Sequence, residues 1–303
     1  MTSNPVAERP GPSGGTPRTT FISDIREIVR DLWVFRELMG QLTRRDIKIR
    51  YKQAVMGLGW ALFMPILIVL AGLIVRLALA YAGAGTVDLP AVGALAVKGI
   101  CWSFFVGAIG FATASLTANI SLVTKIYFPR EVLPLSSLGA QAFDSLIAGT
   151  ALILALPFLG LKLSPALLFV PLLLLILAAF TAGACLFLSC ANLFFRDVKY
   201  IVQVLLTFGI FFTPVLFDAS MLGPTGAKLV MLNPLSPILE GLRHAVIGGH
   251  SLFSTIAETT AKGVTIVVWE PWYLAYAAMW GLGGLVLSGV LFHRAEFAFA
   301  EYV

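Results

Sequence analysis

Three groups of residues in this chain have the types and spacing for chemistry. Arg44, Arg45, Lys48, Arg50 and Lys52 crowd one short stretch. Such a cluster binds an anionic phosphate or diphosphate by charge, and each Arg adds a bidentate fork. The same residues also serve to orient a chain in a membrane and to attract anionic lipid, at about 1 kcal/mol per basic residue. The second group is the run Lys125, Ile126, Tyr127, Phe128, Pro129, Arg130 and Glu131. It has charged ends, an aromatic middle and a proline that limits helix continuation. It reads either as a knob for a soluble partner or as an ordinary polar turn. The third is a set of rings: Trp60, Phe63, Trp102, Phe104, Phe105, Phe208, Phe211 and Phe212. Sugar rings expose C–H faces that pack on aromatic faces, so rings lining a path can pass a glycan. Rings in the core or against lipid look the same in a sequence.

Catalysis has no comparable signal. His244, His250 and His293 are scattered, and no Asp/Glu/His constellation is expected to gather on either face. Cys101, Cys185 and Cys190 sit inside apolar runs without metal-ligand spacing, so they read as packing residues and no metal site is expected. A membrane glycosyltransferase, which would need acidic ligands or large catalytic loops, is therefore disfavoured. The chain also lacks a GxxxxGK[ST] loop to cradle ATP phosphates. If it works on ATP, the nucleotide and its Mg must belong to a separate polypeptide, with no cofactor in this chain.

The elements that position these groups are apolar. The chain of 303 residues is 58% hydrophobic and only 12% charged, against roughly 25% charged in an ordinary soluble domain. A helix needs about 20 apolar residues to cross the bilayer's hydrocarbon. The pattern predicts an all-α integral membrane protein with six transmembrane helices: Gly57–Ala80, Val92–Ala118, Val132–Leu159, Ala166–Ala191, Tyr200–Phe217 and Trp272–Phe292. Residues 1–20, rich in Pro, Gly, Ser and Thr, read as a disordered cytoplasmic tail. In residues 21–56, Ile22, Ile25, Ile28, Val29, Leu32, Phe35 and Leu38 recur at helical spacing opposite charged residues. This predicts an amphipathic helix lying along the membrane interface, followed by the basic entrance. Residues 57–303 form the transmembrane domain. Its external segment Asp218–Pro271 is too broken to span, and short re-entrant helices are expected there.

Lys and Arg fix the orientation. Arg44 to Lys52 precede the first span, Lys125 and Arg130 follow the second, and Arg196 and Lys199 follow the fourth. The positive-inside rule places those regions, and with six spans both termini, in the cytoplasm. The spans hold few ionisable groups, chiefly Arg76, Lys98 and Asp144. Arg76 and Lys98 lie near span ends and are expected to snorkel outward. Asp144 is expected to be buried as a polar contact between helices, with Gln141 and Ser145 as neighbours. Glu240 and Arg243, three apart, are expected to pair. So few midspan charges disfavour an ion-coupled secondary transporter.

Four segments carry a resemblance: LTRRDIKIRYKQAVMGLGWALFMP at Leu42–Pro65, KIYFPREVLPLSS at Lys125–Ser137, NLFFRDVKYIVQVLL at Asn192–Leu206 and NPLSPILEGLRHAVIG at Asn233–Gly248. In this order and spacing the chain resembles ABC-2 type transporter permeases, most narrowly those exporting O-antigen, capsule and teichoic-acid polysaccharides. The resemblance implies a transport subunit of the cytoplasmic (inner) membrane, not an enzyme, paired with a second copy of itself and a separate ABC ATPase. It implies that Lys125–Glu131 couples to the ATPase and that a lipid-linked glycan moves along an aromatic-lined path, with no nucleic acid involved. An exporter of drugs or small lipids is the alternative within the same superfamily.

Overall fold

The computed structural model describes residues 21–52, 54–81, 87–125, 128–161, 163–259, 265–296 and 299. The expected tail, residues 1–20, and Ile126 and Tyr127 of the proposed knob lie outside the described residues.

The chain begins with α1 (Phe21–Val34) and α2 (Arg36–Tyr51), nearly continuous across Phe35, whose N–H still donates to the carbonyl of Asp31 at 2.9 Å. Leu32, Phe35 and Leu38 of the expected apolar stripe pack against a core of Leu42, Leu116, Phe128, Val132 and Phe292. The stripe's other flank, Ile22 and Val29, is exposed together with Trp33 and Val34. Asp24, on the nominally polar face, is buried and accepts from Arg294 at 2.8 Å.

Among the described residues, five helical stretches are long and apolar enough to cross a membrane: Gly59–Tyr81, Leu89–Thr113, Val132–Phe158, Pro165–Phe194 and Trp272–Ala295. They contain α3 (Gly59–Tyr81), α4 (Leu89–Thr113), α7 (Val132–Ala155), α8 (Phe169–Phe194) and the pair α12 (Trp272–Ala278) and α13 (Gly284–Ala295), the last joined by a π turn. Two short helices, α5 (Ser115–Ala118) and α6 (Ile120–Lys125), lead towards the turn before α7. Helix α4 is central and the most buried, packing on α3, α7 and α8. Small residues permit these crossings. A Cβ on Gly183 of α8 would lie 2.9 Å from the backbone nitrogen of Leu285 in α13, closer than real Cβ contacts.

The expected fifth span differs. Helix α9 (Val198–Gly209) has 12 residues, about 18 Å at helical rise and short of a hydrocarbon core of about 30 Å. It ends at Gly209, and the chain continues in turns such as Phe212 N–H to the Gly209 carbonyl at 3.1 Å.

The segment after α9, expected to be external, also departs from an all-helical expectation. It folds into α10 (Gly223–Met231) and α11 (Leu235–Arg243), then an antiparallel hairpin of β1 (Ile256–Thr259) and β2 (Thr265–Trp269). Ala257 faces Val267 and Glu258 faces Ile266 in the register. The β-branched run Thr265–Val268 suits a strand, with Ile266 and Val268 buried and Thr265 and Val267 exposed. Trp269 anchors the hairpin, fully buried, its indole N–H donating to the Leu252 carbonyl at 3.0 Å.

Candidate functional site

The five basic residues of α2 separate into two faces. Arg44, Arg45, Lys48 and Lys52, with Gln41 and Ile49, line a shallow groove of about 550 Å³ on the outside of the helix. Arg50 turns the other way, towards α7. Its guanidinium pairs with Asp144, donates to Gln141 Oε1 at 2.9 Å and lies 4.0 Å from the centroid of Phe111. The neighbouring Tyr51 hydroxyl donates to Asp144 Oδ1 at 2.5 Å. Burial and that bond push the Tyr51 phenol above its ordinary range, so it stays a neutral donor. Gln141 reaches this network because Gly107 of α4 leaves room, since a Cβ there would fall 2.5 Å from the Gln141 amide.

Beside this network lies a cavity of about 490 Å³, walled by α3, α4 and α7 and capped by the end of α2. Arg50, Trp60 and Trp102, which the sequence placed in two separate groups, meet there. The other rings are dispersed. Phe63 packs edge-on to Trp60 at 5.2 Å, Phe105 stacks on Phe180 at 5.8 Å, and Phe104 is buried in the core. Phe208, Phe211 and Phe212 project outward from α9 and the turns after it, each more than half exposed. Asp144 is indeed a polar contact between helices, but its partners Arg50 and Tyr51 come from α2, and it also lines the cavity.

In the turn before α7, Phe128 is buried, and Arg130 donates to the Glu296 carbonyl at 2.8 Å with its charge 3.8 Å from the Glu296 carboxylate. Glu131 is 3.2 Å from His293 Nδ1, and His293 Nε2 is 3.8 Å from Glu27 of α1. The expectation that no Asp/Glu/His group would gather is thereby corrected, because Glu131, His293 and Glu296 offer ligand atoms within 4.8 Å of one another. Helix α13 delivers His293 beside the start of α7, a proximity that sequence separation hides. The Arg130 guanidinium supplies positive charge against the Glu296 carboxylate of this group.

At the opposite end of the bundle, Arg76 and Lys98 do not snorkel. Both are buried, at 3% and 0% exposure. Arg76 donates to Asp218 Oδ2 at 2.6 Å, and Lys98 donates to Asp218 Oδ1 at 2.9 Å and Glu240 Oε1 at 3.2 Å. Arg243 pairs with Glu240 at 2.7 Å and with Glu258 of the hairpin at 2.8 Å. The physical reason is that the segment after α9 folds over the span ends and brings counter-charges, so turning inward beats reaching for water. Burial alone would raise the Asp218 carboxyl, but Lys98, Arg243 and Arg76 overcome it and hold the group well below the ordinary carboxylate range. Burial and the adjacent Arg243 hold His244 neutral, its pKa well below the ordinary imidazole value. Asp218 and Glu258 had no place among the sequence candidates. The only available signal was unpaired basic residues near span ends, facing a segment that carries acids.

A bundle with five long apolar helices among the described residues, its span-end charges Arg76 and Lys98 buried in ion pairs, is a multi-pass membrane protein. Residues 37–247 match the family model described as ABC-2 type transporter, and the chain belongs to that family of transport subunits, whose ATPase activity resides in a separate ABC subunit. Two similar proteins from Klebsiella pneumoniae, each named O-antigen export system permease protein RfbA, are 25% and 26% identical. Those alignments cover 77% and 70% of this chain and 88% and 81% of the relatives. A protein of the same name from Myxococcus xanthus is 28% identical over 74% of this chain and 85% of its own length.

Proposed function

We propose that this chain is the permease subunit of an ATP-driven exporter that carries a lipid-linked polysaccharide, of O-antigen, capsule or teichoic-acid type, across the cytoplasmic membrane. Two copies of the chain work with two copies of a separate ATPase. The names of relatives aligned over most of their length support the substrate class. The observation that carries the reading in this chain is the convergence of Arg50, Trp60 and Trp102 on one cavity beside the basic face of α2. In this reading α9 and the turns to Phe217 act as a short sixth crossing, which leaves both termini in the cytoplasm with α2 and Lys125–Glu131. The helices α10 and α11 then dip into the outer leaflet. The groove of Arg44, Arg45, Lys48 and Lys52 receives the anionic lipid headgroup, Lys125–Glu131 couples to the ATPase, and the exposed Phe208, Phe211 and Phe212 border the path between two copies.

The test is purification of the tagged chain from native membranes in mild detergent with lipid, followed by ATPase and glycan-export assays. A nucleotide-binding subunit should co-purify and be lost when Lys125–Glu131 is replaced. Replacing Arg44, Lys48 and Lys52 by Gln should reduce glycan export. Transport of small amphiphiles with no dependence on those residues would favour a drug or lipid exporter instead.

A further inference from the structure

The cavity between α2, α3, α4 and α7 has a polar end whose chemistry discriminates between ligands. The headgroup of a lipid-linked glycan has two parts, a phosphate and a sugar, and they make opposite demands. A phosphate offers only acceptors and a negative charge, so its site needs free donors. A neutral sugar offers hydroxyls that donate as well as accept, together with apolar C–H faces.

Among the described residues Arg50 is the cavity's one cationic side chain, and it is already committed. It pairs with Asp144, bonds Gln141 at 2.9 Å and is stacked over Phe111 at 4.0 Å. The Arg50–Asp144 pair carries no net charge. Freeing Arg50 for a phosphate would leave the Asp144 carboxylate, whose side chain is only 10% exposed, beside a second anion.

Apart from Arg50, the polar groups of the walls are hydrogen-bond acceptors or neutral groups such as the Gln141 amide and the Ser103 and Ser145 hydroxyls. Asp144 keeps lone pairs beyond those used by Arg50 and Tyr51. Pro65, inside α3, has no N–H to give the carbonyl of Ala61 one turn earlier, and both residues line the cavity. Ser103 adds a hydroxyl whose oxygen is buried with no partner among the described residues. Tyr51, Gln141 and Ser145 are the other polar side chains of the lining, and the rest of the wall is apolar, with the rings of Trp60, Trp102 and Phe111 beside Met64, Ile68 and Ile100. Trp60 is 47% exposed, so its ring stands at the mouth. The volume of about 490 Å³ is within the range of small-molecule sites.

We infer that this cavity is a seat for an uncharged sugar ring, stacked on Trp60 and bonded through its hydroxyls to Asp144, Ser103 and the Ala61 carbonyl. The phosphate of the same ligand is excluded from it. This deepens the exporter reading and rests on it for the ligand's origin. It makes Asp144 a recognition residue as well as a helix contact. It also splits the headgroup site, with the anion on the outer groove of α2 and the sugar inside.

Saturation-transfer difference NMR tests this on the intact permease purified with its ATPase into lipid nanodiscs, without nucleotide. The probes are a panel of neutral methyl pyranosides and, as the anion, glycerol 1-phosphate. At least one glycoside should show transfer to its ring C–H protons, undisturbed by glycerol 1-phosphate. Trp60→Ala should weaken that binding about tenfold, as expected for losing one well-placed ring. Ala61→Phe, which fills the cavity, should abolish it while the complex still elutes intact. Transfer to no glycoside, transfer unchanged in both variants, or displacement by glycerol 1-phosphate would each overturn the assignment. The readout needs neither ATP nor transport, so it separates the two readings. Binding without any glycan export would leave the cavity assignment standing and remove the exporter reading, and export without binding would do the reverse.

Discussion

Lys98 and Glu240, 142 positions apart in the chain, meet at 3.2 Å with both side chains fully buried. Lys98 comes from a span and Glu240 from α11, so the pair fastens the folded segment after α9 onto the bundle. Asp218, Arg76, Arg243 and Glu258 extend it into a network of three cations and three anions that balance.

Removing one member of such a network strands a buried charge. Lys98→Met and Glu240→Gln should each lower stability by about 3–5 kcal/mol, the usual cost of breaking a buried pair from one side. The double variant Lys98→Met/Glu240→Gln should be less damaging than the sum, because no charge of that pair is left unpaired. Thermal unfolding in nanodiscs gives the comparison. Additive losses would mean that the two residues do not act on each other.

The α8 and α13 contact makes a steric prediction. Gly183→Ala places a Cβ against the backbone of Gly284 and Leu285 at 2.9–3.0 Å, where no side chain can swing aside. Overpacking of this kind costs about 1–3 kcal/mol. Gly149→Ala, in α7, is the control and should be near neutral, because the added methyl would meet nothing within 4 Å. Equal melting temperatures for the two variants would contradict the close crossing.

Much of this fold was legible because apolar length is a one-dimensional property. The stretches that became α3, α4, α7, α8 and α12–α13 stand out without knowledge of any partner. Phe208–Phe217 is equally apolar, so hydropathy could not show that the helix stops at Gly209. The hairpin was hidden because Thr265–Trp269 is short, and alternation over five residues is a weak signal. Individual candidates such as Arg50, Trp60 and Asp144 were readable by type, but their meeting was not. It depends on how α2 docks against α7, a contact that includes Thr43 opposite Gly139 and Arg50 with Asp144. Arg76 and Lys98 were misjudged for the same reason, since their counter-charges lie more than a hundred residues away.

The Arg50–Asp144 contact should be measurable as a coupling between helices. Arg50→Gln, Asp144→Asn and the double variant form a cycle, and a coupling of about 1–3 kcal/mol in thermal stability is expected for contacting charged partners. Arg50→Lys should recover only part of it, because an ammonium cannot hold Asp144 and Gln141 in one planar fork while stacking on Phe111. Hydrogen exchange should rise along α2 in Asp144→Asn, since that helix loses its anchor on α7. Unchanged exchange in α2 would place the docking energy elsewhere.

The contacts between the turn before α7 and the end of α13 should respond to pH. Burial, and the repulsion of Glu131 nearby, raise the Glu296 carboxyl from 4.5 to about 7 against the opposing pull of Arg130. The groups facing it are Glu131, Arg130 and His293, with Glu27 on the far side of the imidazole. A carboxyl whose pKa is higher folded than unfolded favours the folded state when protonated. Its contribution is therefore full below about pH 4.5 and is lost as the pH rises through about 7. Melting temperature measured in nanodiscs from pH 5.5 to about 8.5 should fall across that window in the unaltered protein. Glu296→Gln, which fixes the protonated shape, should be the more stable of the two at the alkaline end and show a shallower slope. A slope identical in both proteins would show that Glu296 is ionised throughout and that Arg130 alone governs its charge.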